Sequence, residues 1–200
     1  VQGGASEWAA RDCGRCHGGG DASAAMKGVA ARYPAYDTAS ARPITLSQRI
    51  NQCIATRQHQ AALAPESDAL LALETYVAFQ SRGLPIAPPE DPRLGPWRER
   101  GARLFERRLG QLDLSCTQCH DDHAGQRLGG STIPQAHPTG YPLYRLEWQG
   151  MGSLQRRLRG CMAGVRAEPY AYGAIEWTEL ELFLMQRAAR MPMDAPAVRP

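Results

Sequence analysis

The sequence predicts an all-α protein with substantial loop, built from two similar halves in tandem. Three observations lead to this prediction: one five-residue motif occurs twice, a proline-rich stretch lies between the copies, and apolar residues recur at helical spacing in both halves. No long run of alternating polar and apolar residues is present, so the signals for strands are weak. The 20 glycines and 15 prolines among 200 residues indicate much irregular structure.

The boundary between the halves is predicted at the proline-rich stretch. Four prolines lie in the segment from Pro85 to Pro92, where fixed φ angles and missing amide protons exclude the interior of a helix. We interpret this segment as an extended linker. It divides the chain into residues 1–87 and residues 88–200, and each part has the size of a small domain.

Helices are expected at matching positions in the two halves. Each half is predicted to have one helix before its copy of the motif and another near its end, and the predicted ranges are Glu7–Asp12, Trp97–Leu109, Ser67–Arg82 and Thr178–Arg190. Matching residues are 103 positions apart at the motif and 107 apart in the last helix. Directly after that helix, Leu84-Pro85-Ile86 matches Met191-Pro192-Met193.

The repeated motif is Cys-x-x-Cys-His, the attachment signature of c-type haem. Its two thiols bind the haem covalently and its histidine becomes an iron ligand. A zinc site is the less favoured alternative, because no second Cys or His pair stands near either copy at the usual spacing. The repeat therefore resembles the class I cytochrome c fold twice over, which implies two covalently bound haem c groups. The residues of the two copies are Cys13, Cys16, His17, Cys116, Cys119 and His120.

Composition argues against several other classes of protein. The formal net charge is +3, and the propionates of two haems would bring it close to neutral, so the basic balance is not a sign of nucleic-acid binding. No stretch reaches the roughly 18 apolar residues of a membrane span. Because haem is attached covalently outside the cytoplasm, we expect a periplasmic protein whose leader has been removed.

Two cysteines outside the motifs occupy matching positions. Cys53 ends the segment that begins at Thr45, Cys161 ends the segment that begins at Ser153, and in both an arginine stands four residues before the cysteine. A class I cytochrome usually takes methionine as its sixth iron ligand from this region, so we expect Cys53 and Cys161 to bind iron instead. The alternatives are a disulfide between them, two buried free thiols, or Met162 as the ligand in the second half.

Arginines surround the second of these cysteines. Arg157 lies one helical turn before Cys161 on the same face, where a guanidinium group can bind an oxyanion with two hydrogen bonds. The matching residue in the first half is Arg49, so a role towards the haem propionates is the alternative. The roles of Arg156, Arg159 and Arg166 stay open at this point.

The motifs of the second half resemble the SoxA family, the catalytic subunits of the SoxAX cytochrome complexes of bacterial thiosulfate oxidation. The resemblance covers most of residues 97–193 and extends more loosely over residues 7–86. Its most specific segments, besides the second haem motif, are Ala124-Gly125-Gln-Arg127-Leu128, Tyr141-Pro142-Leu-Tyr144-Arg145-Leu-Glu-Trp148-Gln149, Arg157 to Cys161, and Val165-Arg166-Ala167-Glu168-Pro169-Tyr170. The chain departs from the expected pattern at Met162-Ala163-Gly164 and at Gly173-Ala174.

The resemblance implies a reaction, its partners and a role for each of the two haems. The haem bound by His120 and Cys161 is then the active-site haem, and the haem bound by His17 and Cys53 is remote from catalysis. Thiosulfate is joined oxidatively to a cysteine of a carrier protein of the SoxYZ type, and two electrons pass to cytochromes. The implied partners are a mono-haem subunit of the SoxX type, that carrier, and a downstream cytochrome c. Cys161 and Arg157 are the implied catalytic residues.

Two other functions remain open on the sequence alone. The first is a di-haem electron carrier without substrate chemistry, in which the arginines form a docking surface. The second is a di-haem peroxidase, which would need an open or histidine-switchable site and has as candidates only His59, His123 and His137.

Overall fold

The structure is a computed structural model that describes residues 1–19 and 22–200. Helices dominate it, and the α-helices that it defines are α1 Gln2–Ala10, α2 Gly14–His17, α3 Leu46–Arg57, α4 Asp68–Phe79, α5 Gly95–Glu106, α6 Cys116–His120, α7 Leu154–Gly164 and α8 Ile175–Arg187. Two short 3₁₀ helices are Ala30–Arg32 and Pro92–Leu94. No helix in this part of the chain is long and apolar enough to cross a membrane.

Short strands make the all-α prediction only partly right. The strands are β1 Ala35–Asp37, β2 Arg42–Ile44, β3 Arg127–Leu128, β4 Ser131–Thr132, β5 Leu143–Arg145, β6 Gly150–Gly152 and β7 Ala197–Arg199. The β1–β2 and β3–β4 pairs are antiparallel, and β5 lies between β6 and β7. Each strand has only two or three residues, which is too short to produce an alternating pattern in the sequence.

The first and last helices of each half pack together, α1 on α4 and α5 on α8. Gly4 lies against the Ala72 carbonyl and Gly101 against the Glu179 carbonyl, where an added Cβ would stand 2.2 Å and 2.0 Å from the oxygen. Glycine at these two positions therefore lets the helix backbones approach closely. The prediction of α1 at Glu7–Asp12 was wrong in its bounds, because the adjacent glycines concealed a helix that begins at Gln2.

The middle of each half also repeats. A β-hairpin leads into a helix, β1–β2 into α3 and β5–β6 into α7. Thr45 caps α3 and Ser153 caps α7, since the hydroxyl oxygens accept the amide protons of Gln48 at 3.3 Å and Arg156 at 3.1 Å. The matching hydroxyl residues noted in the sequence are thus helix caps, which set where both helices begin.

The two halves meet in a short antiparallel ladder centred on Pro85 and Pro192. Ile86 N donates to Met191 O at 2.9 Å, and the matching bond runs from Met193 N to Leu84 O at 2.8 Å. A second pair of matching hydrogen bonds runs from Gly83 N to Met193 O and from Arg190 N to Ile86 O. The segments that match in the sequence therefore pair with each other in the structure. Ile86, with 1 % of its surface exposed, lies in the core. The first residues of the segment interpreted as an extended linker are extended, and the ladder buries them between the halves.

One hydrophobic cluster draws residues from both halves. Trp8, Tyr76 and Ile86 share it with Met185 and Met193. A second cluster belongs to the second half alone and contains Phe105, Trp177, Leu180 and Leu184. The division at residue 87 stays a prediction, and the shared core makes the halves depend on each other for burial of apolar surface.

Candidate functional site

Each haem motif faces the lone cysteine of its own half. The motif of the first half lies on α2 beside α3, and burial raises the pKa of Cys13, with a further increase from Cys53. In the second half, burial and then the charge of Cys161 raise the pKa of Cys116 to about 11. Such charge effects act only over short distances. The structure therefore brings Cys53 to the first motif and Cys161 to the second.

None of the six cysteines forms a disulfide. The Cys53–Cys161 disulfide that the sequence left open is not formed. Both lone cysteines are half-buried. Met162, the competing ligand, packs against the cluster of Phe105 and Trp177, and its counterpart Ile54 packs in the first cluster. The neighbours of the two cysteines thus repeat as the cysteines do.

His120 is held in a defined orientation. Its Nδ1 lies 2.7 Å from the Pro134 carbonyl oxygen, so Nδ1 carries the proton and Nε2 is left as the metal-binding nitrogen. The ring also lies 6.4 Å from that of Phe105. Pro134 had not been picked out in the sequence, and its only signal is its position 14 residues after the histidine. In the first half, the His17 ring lies 5.8 Å from that of Trp8.

The arginine of the first half is fully engaged. Arg49 forms an ion pair with Asp37 at 3.0 Å, donates to the Tyr33 hydroxyl at 3.3 Å, and donates to Gln52. Hydrogen bonds from Ser40, followed by Gln52 and then the charge of Arg49, lower the pKa of Asp37 to about 2. Each of the three guanidinium nitrogens of Arg49 therefore has a partner within the first half, and its charge is balanced by Asp37.

Arg157 matches Arg49, but its partners are missing. The residues equivalent to Asp37 and Gln52 are Arg145 and Gly160, so one acid has become a base and one amide has been removed. Within residues 1–19 and 22–200, the Arg157 side chain has no hydrogen-bond or ion-pair partner. The space beside Gly160 is open, with no atom within 4 Å of a Cβ built there. The second half thus contains an unpaired guanidinium group where the first has a neutralised one.

Tyr141 connects this arginine with the cysteine. Burial is the main cause that raises the pKa of Tyr141 to about 12, and the next largest effects are those of Arg157, which lowers it, and Cys161, which raises it. The phenol, guanidinium and thiol groups are therefore neighbours. Tyr141 matches Tyr33, so the tyrosine is common to both halves and the change in charge around the arginine is not.

The other three arginines have different environments. The Arg156 guanidinium lies 4.4 Å from the Trp148 ring and donates to the Met151 carbonyl at 3.3 Å. The Arg159 guanidinium lies 4.5 Å from the Tyr172 ring and donates to the Tyr170 carbonyl. Arg166 is exposed on the loop after α7. Both arginines that share α7 with Arg157 are thus held by other groups.

The residues fit covalent haem c. Two thiols one helical turn apart, a histidine next to them and a facing cysteine form the donor set in each half, and Nε2 of His120 is free. The six thiol and imidazole groups of the motifs would hold the haems, and Cys53 and Cys161 face the motifs as candidate further ligands. In the described part of the chain no three or more His, Cys, Asp or Glu side chains form a cluster suited to a bare metal ion.

Comparison with known proteins identifies the family. Residues 4–86 match the family model for the SoxA/TsdA cytochrome c domain. The L-cysteine S-thiosulfotransferase subunit SoxA of Pseudaminobacter salicylatoxidans is 33% identical over 206 residues, which cover 100% of this chain and 71% of that protein. The chain belongs to the SoxA family. Membership of this family implies covalently bound haem c.

Further relatives agree in sequence and in structure. The subunit of the same name from Rhodovulum sulfidophilum is 33% identical, over 94% of this chain and 64% of its own length. A crystal structure of SoxXA from P. pantotrophus superposes with a TM-score of 0.88 at 29% identity, covering 94% of this chain and 70% of that chain. The chain thus spans between 64% and 71% of the length of these SoxA-family relatives.

Proposed function

We propose that the chain catalyses the oxidative transfer of thiosulfate to a cysteine of a sulfur-carrier protein, with Cys161 as the reacting group and Arg157 as the anion-binding group. One observation carries the proposal: Arg157, beside Cys161, is unpaired, whereas Arg49, beside Cys53, is neutralised by Asp37. Thiosulfate is a dianion, and a guanidinium group without a carboxylate partner is suited to bind its sulfonate oxygens.

The proposal includes two haem c groups, one in each of two domains, 1–87 and 88–200. Cys13, Cys16, His17 and Cys53 would hold the first haem, and Cys116, Cys119, His120 and Cys161 would hold the second. When bound, the haem accepts electrons one at a time, and its thiolate ligand favours the oxidised iron. The geometry of His120, with Nδ1 bonded to the Pro134 carbonyl, supports the second assignment.

The chemistry that the residues perform is a sulfur–sulfur bond formation followed by an exchange. Arg157 holds thiosulfate with its outer sulfur towards Cys161, and a bond forms between that sulfur and Cys161 Sγ as two electrons leave. The carrier thiolate then attacks the same outer sulfur, and the Cys161 thiolate departs. The net change joins a carrier thiolate and thiosulfate into a carrier S-thiosulfonate and two electrons, and Cys161 is restored.

The substrate site is placed in the second half for an electrostatic reason. An anion beside Cys53 would have to displace Asp37 from Arg49, and the carboxylate is already bound by three kinds of donor. In the second half the position that matches Asp37 is Arg145, whose positive charge does not repel an anion beside Cys161. The first haem is therefore assigned to electron transfer alone.

The partners in this proposal follow the resemblance to the SoxA family. A SoxX-type mono-haem subunit would bind the chain, because the solved structure that it matches is that of SoxXA. A SoxYZ-type carrier would supply the thiol, and a downstream cytochrome c would take the electrons. The reaction is placed in the periplasm, where haem is attached to such motifs. A carrier without substrate chemistry would not need an unpaired arginine at one haem only.

Replacing Arg157 with glutamine tests the proposal. We expect the KM for thiosulfate to rise by about 10- to 100-fold, because a hydrogen-bonded charged contact is worth roughly 1.5–3 kcal/mol. The matched control is Arg49→Gln, which removes the same group from the first half and should leave the KM unchanged. Initial rates of thiosulfate-dependent carrier modification measure both. Equal KM values in the two variants would contradict the assignment of Arg157.

A further inference from the structure

A cavity of about 430 Å³ lies between the two halves, and its wall includes residues of α3 and α7. It is lined by matching residues of the repeat, which places it on the axis that relates the halves. The matching pairs in its wall are Ala30 and Pro138, Tyr33 and Tyr141, Leu46 and Leu154, Ser47 and Gln155, Glu74 and Glu181, and Ala78 and Met185. It has room for several water molecules.

Two carboxyl groups face this cavity from equivalent positions. Glu74 lies on α4 and Glu181 on α8, and both line its wall. Throughout residues 1–19 and 22–200, neither side chain has a hydrogen-bond or ion-pair partner. Burial, followed by the charges of Glu181 and Glu66, raises the pKa of Glu74 to about 8. Burial alone raises the pKa of Glu181 to about 8. Two such groups cannot both ionise at neutral pH without mutual repulsion.

The cavity reaches both candidate haem sites through its tyrosines. Tyr141 lines the cavity and neighbours Arg157 and Cys161. Tyr33 lines it from the other half and accepts a hydrogen bond from Arg49 at 3.3 Å. A change of charge at either site therefore acts on the wall of the cavity, where partial burial of the side chains reduces the screening by solvent.

The cavity wall contains five further charged or titratable groups. They are Tyr33 and Tyr141 before the two hairpins, Arg42 on β2, Glu66 before α4 and Tyr172 before α8. Burial raises the pKa of Tyr172 and of Tyr141, so these two phenols stay protonated near neutral pH. None of the residues described in this wall is a histidine.

We propose that Glu74 and Glu181 form one proton-binding site shared by both halves, and that it takes up a proton when a haem site gains an electron. The electron comes from a one-electron donor, which is the reacting sulfur in turnover or dithionite in a titration. The proton comes from solvent through the cavity water and forms an O–H bond on a carboxylate, so each electron added is balanced by at most one proton. The proposal rests on the haem part of the proposed function and is independent of thiosulfate transfer.

Redox titrations of the holoprotein at several pH values test this coupling. In the wild type, the ratio of reduced to oxidised haem at a fixed potential should fall with rising pH around pH 8, by up to tenfold per unit for one proton per electron. In the double variant Glu74→Gln/Glu181→Gln the dependence should be largely lost. Glu106→Gln, which removes an exposed carboxylate, is the matched control and should titrate like the wild type. An unchanged slope in the double variant would overturn the proposal.

Infrared difference spectra of the wild type give a second readout that does not need a variant to fold. Reduction at pH 8 should increase the C=O band of a protonated carboxylic acid, with a shift in deuterium oxide. The single variants Glu74→Gln and Glu181→Gln should each alter that band. Absence of the band change on reduction would overturn the proposal, whereas a failure of thiosulfate transfer would leave it intact and count only against the function proposed above.

The same pair predicts how thermal stability depends on pH. The carboxyls have an ordinary pKa of 4.5 when unfolded and about 8 when folded, so the unfolded chain releases protons that the folded chain retains. We expect Tm to decrease as the pH rises from 4.5 to 8 and then to level off. The double glutamine variant should have a higher Tm at pH 8 and a flatter profile, measured by calorimetry on the holoprotein. A wild-type profile that is flat across this window would contradict the assignment.

Discussion

Replacing Cys161 with serine should abolish thiosulfate-dependent modification of the carrier, by roughly a thousand-fold or more. Serine keeps the size of the side chain, but its hydroxyl group cannot form the sulfur–sulfur bond that the reaction requires. Intact-mass spectrometry of the carrier, incubated with thiosulfate and an artificial electron acceptor, measures the product directly. Absorption spectra of the variant establish that both haems are still attached, since the motif cysteines are unchanged.

The matched control for this variant is Cys53→Ser. The two cysteines are equivalent in the repeat, lie at the same distance after a capped helix start, and are both half-buried. Cys53→Ser should therefore alter the spectrum of the first haem to the same degree and leave carrier modification within a few-fold of the wild type. Wild-type turnover by Cys161→Ser, or equal losses in both variants, would contradict a reacting role specific to Cys161.

Replacing Gly101 with alanine should destabilise the protein by about 3 kcal/mol. The new Cβ would stand 2.0 Å from the Glu179 carbonyl oxygen and 2.7 Å from its carbon, so α5 and α8 would have to separate. The same substitution in the interior of an exposed helix has the opposite effect on stability, because there alanine is favoured over glycine by roughly 1 kcal/mol. Urea denaturation of the holoprotein measures the shift in the free energy of unfolding.

Gly95→Ala, in the first turn of the same helix, provides the comparison. No atom lies within 4 Å of a Cβ built at Gly95, so we expect a change within about 0.5 kcal/mol. The pair separates the packing effect from the intrinsic preference for alanine. Gly4→Ala should behave like Gly101→Ala, since its Cβ would stand 2.2 Å from the Ala72 carbonyl oxygen. A Gly101 variant as stable as the Gly95 variant would show that the helices can separate without cost.

The features that the sequence allowed us to predict are those with short, periodic signals. Cys-x-x-Cys-His marks both motifs, the hydroxyl residues before Cys53 and Cys161 begin the helices that carry them, and the apolar periodicity of α4 and α8 shows their position to within three residues. Family resemblance in the second half rests on the same local segments. Comparison with curated relatives confirms that family.

The features that could not be predicted depend on contacts between distant segments. The strands are too short to produce an alternating pattern of polar and apolar residues. The bounds of α1 were predicted wrongly because its glycines favour a helix only where they pack against α4. The ion pair of Arg49 with Asp37 joins residues 12 positions apart, so its loss at Arg157 becomes visible only when the hairpin is folded beside the helix. Glu74 and Glu181 match in the repeat, but their position in a common cavity depends on how the two halves pack together.

The ladder at Pro85 and Pro192 makes the chain resemble a homodimer whose subunits are tethered. Each hydrogen bond from one half has its counterpart from the other, as in an isologous contact between identical subunits. A two-fold arrangement normally gives two equal sites. Here the tether frees the two copies to diverge, because a change such as aspartate to arginine at the position shared by Asp37 and Arg145 can be made in one copy alone. Covalent linkage of the copies thus permits one electron-transfer centre and one reaction centre on a single symmetric frame.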